Sequence, residues 1–154
     1  MTRGQNAQLD EISKAIIEQL QHDGRKPYAA IGKAVGLSEA AVRQRVMRLT
    51  EAGIMQIVAV TDPLQVGFAR QAMIGIRAEG DSEQVGAKLA EMPEIEYVVI
   101  TAGSFDLLVE VVAENDDQLL EVLNRRIRAI PEVRSTETFV YLKLLKQTYQ
   151  WGTR

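Results

Sequence analysis

Met92-Pro93-Glu94-Ile95 and Ile130-Pro131-Glu132-Val133 repeat one another at an offset of 38 residues, each after a helical pattern and each before a β-branched run. A strand and a helix written twice in so short a stretch leave few ways to bury both apolar faces. The pattern predicts strand Ala72 to Ala78, then a helix capped by Asp81 with Gln84 three residues inside it, then strand Ile95 to Thr101. After Ala102-Gly103-Ser104 it predicts strand Phe105 to Ala113, a helix from the Asn115 cap to Ile130 with Gln118 inside it, and strand Val133 to Leu145. That order, βαββαβ, is the split βαβ of a ferredoxin-like sandwich of about 75 residues, its two helices on one sheet face. The last strand is apolar on both faces, Val140, Leu142 and Leu144 alternating with Phe139, Tyr141 and Leu145. An uncovered apolar face marks an interface, so a dimer at least is expected.

The residues before this unit have a different period. Leu9, Ile12, Ile16, Ile17 and Leu20 fall at helical spacing behind Asp10 and stop at Asp23-Gly24. Pro27 opens a second short helix, whose apolar side is Ile31, Ala34 and Val35 and which Gly36 ends. Ser38 then caps a third helix, Glu39 to Ala52, with Val42, Val46 and Leu49 turned inward and Gly53 behind it. The short turn, the small Gly32 where two helices cross and the glycine in the turn fit a helix-turn-helix. Its outward face carries Ser38, Glu39, Ala40, Arg43, Gln44 and Met47. Arginine pairs with guanine O6/N7 and glutamine with adenine N6/N7, so Arg43 and Gln44 suit the major groove, while Arg25, Lys26, Tyr28 and Arg48 are placed for phosphates.

Charge supports that division. The chain's net charge of -3 splits into +2 over residues 1–57 (eight Lys/Arg, six Asp/Glu) and -5 over residues 58–154 (ten against fifteen). Within Arg25 to Arg48 six basic residues face only Glu39, +5 in all. Such a cluster attracts phosphate, although a charge run by itself is more commonly a solvated helix face. Between the units, Met55 to Thr61 reads as a short strand through Val58 and Val60, and Asp62-Pro63 breaks it before Leu64 to Phe68.

Several classes are disfavoured. The chain has no cysteine and one histidine, His22, which leaves no disulfide framework, thiolate nucleophile or multi-histidine metal cluster. No apolar run reaches the roughly 18 residues of a membrane span, and Met1 to Asn6 lacks the core of a signal peptide, so a cytoplasmic protein without a membrane partner is expected. No phosphate-binding glycine loop or obvious carboxylate pair suggests catalysis. Neither a metal nor another cofactor is expected.

Leu9-Asp10, Asp23-Gly24-Arg25, Val35-Gly36-Leu37-Ser38, Arg45-Val46-Met47-Arg48-Leu49 with Gly53-Ile54, and Thr101-Ala102-Gly103-Ser104-Phe105-Asp106-Leu107 stand here in a specific order. Together they resemble the Lrp/AsnC, or feast/famine, family of transcriptional regulators over nearly the whole chain. Ser13 stands where that family often has aspartate, Pro27 where serine or threonine is common, and Gly32 where alanine is usual. By helix propensity alone Gly32 costs up to about 1 kcal/mol against alanine.

The resemblance implies a three-helix, winged helix-turn-helix DNA-binding domain over residues 1–54, a β-strand linker or hinge over 55–68, and a ferredoxin-like effector-binding and oligomerisation domain, of the type called RAM, over 69–154. It implies sequence-specific binding of double-stranded DNA, modulated by a free amino acid, and homodimers assembling to octamers. The effector pocket is implied at Thr101, Ala102, Gly103, Ser104, Phe105 and Asp106. Gly103 and the turn amides suit a carboxylate, Asp106 an α-ammonium, and Thr136 and Thr138 add hydroxyls from a neighbouring strand. The turn taken alone is an ordinary hairpin with a capping aspartate, and the threonines are good sheet formers. An alternative is an amino-acid-binding sensory and oligomerisation module whose basic helices bind protein rather than DNA.

Overall fold

A computed structural model describes residues 9–154, and the expectation for Met1 to Asn6 lies outside them. The chain forms two compact units, one holding residues up to Val60 together with Lys146–Arg154, the other Thr61–Leu145.

In the first unit, α1 (Glu11–His22) begins at Asp10, whose carboxylate accepts from Ser13 N–H at 2.8 Å. Next, α2 (Tyr28–Val35) follows Pro27, which is the cap residue rather than the first helical one, and α3 (Glu39–Glu51) follows Ser38, whose hydroxyl accepts from Ala41 N–H at 3.2 Å. Ile16, Leu20, Ile31, Val42 and Val46 make the core, with Ile12, Tyr28, Val35, Leu37 and Met55 around it. Gly36 has φ 75°, the left-handed conformation that ends α2 and lets the chain reverse into α3. Gly32 has a different role. A Cβ there would lie 2.4 Å from the Leu37 carbonyl oxygen, so the propensity penalty at this position is the condition for closing the turn. The Lys146–Arg154 tail lies against α1, Gly152 N–H donating to Gln21 Oε1 at 3.0 Å and Thr153 Oγ1 to Glu18 Oε1 at 2.5 Å.

The expected linker strand is not formed. Among the described residues, 55–62 join no ladder, and Val58 and Val60 are exposed; strand character alone does not make a strand without a neighbour to bond.

In the second unit a 3₁₀ turn (Pro63–Gln65), pinned by Asp62, leads into β1 (Arg70–Ala78), α4 (Ser82–Ala90), β2 (Ile95–Ile100), β3 (Leu107–Ala113), α5 (Asp116–Glu121) and β4 (Val133–Val140). The sheet order is β2-β3-β1-β4, with all three pairings antiparallel. Ile74, Ile76, Leu107, Val109 and Val111 face Val85, Leu89, Val122 and Ile127 of the helices in one continuous core. The second helix passes into a π-helical segment at Val122–Ile127 and stops short of the Ile130 expected from sequence. Strand β4 also ends early, at Val140 instead of Leu145; Tyr141 N–H still reaches Gln71 O at 2.9 Å, but Leu142 and Leu145 are exposed.

The repeat has a physical counterpart. Lys88 and Arg126 are also 38 residues apart, as are Glu94 and Glu132, and their ion pairs cross between the halves. Lys88 Nζ reaches Glu132 Oε1 at 2.8 Å, and Arg126 Nη1 reaches Glu94 Oε2 at 2.5 Å. Each half thus supplies a cation from its helix to a carboxylate that opens the other half's strand.

Candidate nucleic-acid interface and effector turn

With Val42, Val46 and Leu49 buried, Ser38, Glu39, Ala40, Arg43, Gln44 and Arg48 are all exposed on α3 or at its start. The structure brings three of the named residues together: Arg43 Nη2 donates to Glu39 Oε1 at 2.9 Å, and its guanidinium lies 5.3 Å from the Tyr28 ring centroid. Both contacts hold the exposed Arg43 on the α3 surface, and Tyr28 is half-buried and packed against the core. Arg25 is exposed at the end of the α1–α2 turn, which Asp23 Oδ1 fixes by accepting from Arg25 N–H at 2.9 Å. Lys26 bonds to the Gln19 side chain.

Arg45, in the same charge run, is committed elsewhere. Its Nη1 donates to Asp10 Oδ2 at 2.6 Å and Ser13 Oγ at 3.0 Å, fastening α3 to the first turn of α1. The side-chain hydrogen bonds from Ser13 and then Arg45 hold the Asp10 carboxyl down at about 2. The sequence counted Arg45 as available charge because Asp10 lies 35 residues away, and only the fold brings them together.

The turn after β2 is held from both sides. Thr101 Oγ1 donates to Phe105 O at 2.6 Å, Thr101 N–H to Asp106 O, and Asp106 N–H to Ile76 O, the last two at 2.9 Å. The Asp106 side chain accepts from Ala78 N–H at 2.8 Å, closing the end of β1 where its pairing with β4 shifts register. Phe105 lies flat on β1: a Cβ at Gly75 would come within 2.7 Å of its ring, and Phe139 meets it edge-on at 6.2 Å between centroids. Arg77 stacks on it, 4.5 Å from the centroid.

The eight expected effector residues are divided by the sheet. Thr136 and Thr138 stand opposite Ile76 and Ile74 and share their helix-covered side, where Thr136 Oγ1 accepts from Arg128 Nε at 2.9 Å. Phe105 lies on the other side, with Gly75, Arg77 and Phe139. An isolated glycine inside a strand signals close approach of another group, which is how Gly75 marks the Phe105 seat in the sequence.

That same open side holds a polar island. Gln71, nearly buried, donates from Nε2 to Glu110 Oε1 at 2.9 Å. Burial first, and then a hydrogen bond to Glu110, push the Tyr141 phenol up to about 12. Tyr97 and Phe139 remain exposed beside it. Among the described residues no cluster of His, Asp and Glu is arranged to hold a metal ion, and no helix is long and apolar enough to cross a membrane.

Two family profiles match, the AsnC-type helix-turn-helix domain over residues 9–50 and a C-terminal dimeric alpha+beta barrel domain over residues 68–154. The chain is similar to the HTH-type transcriptional regulator FL11 of Pyrococcus horikoshii, 37% identical over 142 residues that cover 91% of this chain and 93% of that one. It is also similar to the leucine response regulatory protein LrpA of Mycobacterium tuberculosis, with a TM-score of 0.83 at 29% identity, covering 94% and 100%. A transcriptional regulator of Neisseria meningitidis, solved as an L-Met complex, shares the fold with a TM-score of 0.77 at 23% identity, covering 92% and 95%. The chain belongs to the Lrp/AsnC family of helix-turn-helix transcriptional regulators.

Proposed function

We propose that this regulator reads double-stranded DNA through α3 and responds to a free amino acid at the turn Thr101 to Asp106. The observation that carries the DNA reading is the exposed Ser38, Glu39, Ala40, Arg43, Gln44 and Arg48 surface on a helix whose opposite side is core. Arg43 and Gln44 contact bases, and Arg25, Lys26, Tyr28 and Arg48 contact phosphates and set register. Residues 1–54 act as reader, 55–68 as hinge and 69–154 as the sensing and assembly domain.

The effector reading is supported by the ordered turn, whose amides and Asp106 suit a zwitterion, and by the neisserial protein's complex with L-Met. A carboxylate has about four lone-pair sites, so the Asp106 bond to Ala78 N–H orients it and still leaves acceptor capacity for an ammonium. Thr136, bonded to Arg128, and Thr138 lie on the helix-covered side of the sheet, so the reading centres on the turn. The open sheet face pairs two chains into a dimer, and dimers assemble further to an octamer. The protein acts in the cytoplasm without catalytic activity and needs no cofactor beyond the effector.

The test is footprinting on the gene's own upstream region with wild type and with the Arg43→Ala, Gln44→Ala double variant. Loss of the footprint in a variant that keeps the wild-type circular dichroism supports the assignment; an unchanged footprint refutes it.

A further inference from the structure

We infer that Met47 reads a thymine through its C5-methyl group. This rests on the proposal that α3 contacts bases and adds to it a residue that neither the core nor the polar contacts employ.

Met47 is the exception in its domain. Among the described residues of α1, α2 and α3 every other large apolar side chain is buried or half-buried, whereas Met47 is 52% exposed. Its place on α3 follows from the core. Val42, Val46 and Leu49 are buried, and Ala40, Gln44 and Met47 follow one another at four and three residues on the opposite side, all three exposed. Arg43 flanks that strip, engaged with Glu39 one turn earlier and with the Tyr28 ring, and these contacts leave Met47 uncovered. The strip is therefore one amide between two apolar groups, bordered by an arginine. Lysine, arginine or glutamine in place of Met47 would form the helix as readily and suit solvent better, so the fold alone does not call for methionine.

The major groove offers a group of matching chemistry. Its base edges carry hydrogen-bond donors and acceptors, and the thymine C5-methyl is the apolar group among them. A thioether is at best a weak acceptor and donates nothing, so Met47 takes no part in the polar code that Arg43 and Gln44 suit. Its unbranched, polarisable chain adapts to a methyl group and withdraws both from water. Helical rise sets Met47 about 4.5 Å along α3 from Gln44, against about 3.4 Å between successive base pairs. The thymine thus belongs to the base pair that Gln44 reads or to the next one.

The experiment is a deoxyuridine scan. A duplex is selected from a random pool by the wild-type full chain, and each thymine is replaced in turn by deoxyuridine, which removes the methyl group and keeps the base pairing. Affinities are measured by fluorescence anisotropy for wild type, Met47→Ala and Met47→Leu. Wild type should lose roughly 3- to 5-fold at one thymine of each half-site, the loss expected when one methyl group is no longer buried. Met47→Ala should bind the thymine and deoxyuridine duplexes alike at that position while keeping the wild-type urea midpoint, and Met47→Leu, still apolar, should retain the difference. If Met47→Ala keeps the wild-type loss at every thymine, or wild type binds every deoxyuridine duplex as tightly as the parent, Met47 does not read a methyl group, although the reading of α3 through Arg43 and Gln44 stands. If wild type selects no duplex, the DNA reading itself fails and this inference with it.

Discussion

Replacing Arg43 by alanine separates folding from reading, because the structure bounds what the side chain does for each. Its ion pair with Glu39 joins two exposed groups, with side-chain exposures of 64% and 52%, and is an i,i+4 helix pair. Such pairs contribute about 0.3 to 0.5 kcal/mol. The stack on Tyr28, at 5.3 Å and near solvent, adds about 0.5 to 1 kcal/mol. Alanine returns a few tenths through helix propensity, so the variant should lose only about 1 kcal/mol of stability. A base contact is a larger matter: a bidentate arginine–guanine pair discriminates by about 1 to 3 kcal/mol, roughly 5- to 150-fold. The assay is fluorescence anisotropy on a duplex selected by the wild type and on a scrambled duplex, across a salt series, alongside urea unfolding. Arg43→Ala should lower affinity for the selected duplex by that factor and leave the scrambled one nearly unchanged. If both affinities fall equally and the salt slope drops by about one, Arg43 touches phosphate, and the base-reading assignment is refuted.

Three further outcomes follow from the packing. Gly32→Ala should lower stability although helix propensity favours it, since the new Cβ would lie 2.4 Å from a backbone oxygen; a higher urea midpoint would refute this. Asp10, depressed to about 2 in the fold against an ordinary 3.8, adds stability that is full above pH 3.8 and is lost as pH falls through 2. Arg45→Ala should therefore move part of the acid transition seen by far-ultraviolet circular dichroism upward toward pH 4, and an unmoved transition would show that the clasp is not energetically coupled. Of the crossing ion pairs, Arg126→Ala should destabilise more than Lys88→Ala, because Glu94 is more enclosed than Glu132 (18% against 34% exposed); equal urea midpoints would contradict that order.

The repeat at 38 residues made the topology of the second unit legible, because Pro-Glu breaks, amide caps and β-branched runs are all local signals. The helix-turn-helix was legible for the same reason: Gly36 and Ser38 are locally required, and both take the expected roles. What the sequence could not show was pairing across distance. Arg45 reads as free charge until the fold sets it beside Asp10, and Thr136 and Thr138 read as pocket hydroxyls until the register puts them on the side away from Phe105. Val58 and Val60 have strand character, but among the described residues they join no ladder. Gly32 shows a local rule reversed, a helix-weakening residue retained because a carbonyl occupies the space of its side chain.

The central claim, that α3 reads bases, is tested most directly by changing what it reads. Duplexes should be selected from a random pool with wild type and with Gln44→Lys, and the enriched sequences compared. The account predicts two half-sites separated by about one helical turn or a multiple of it, with one adenine in each replaced by guanine for the variant and the other positions unchanged. Identical sequences enriched by both proteins, or no enrichment by wild type, would contradict it.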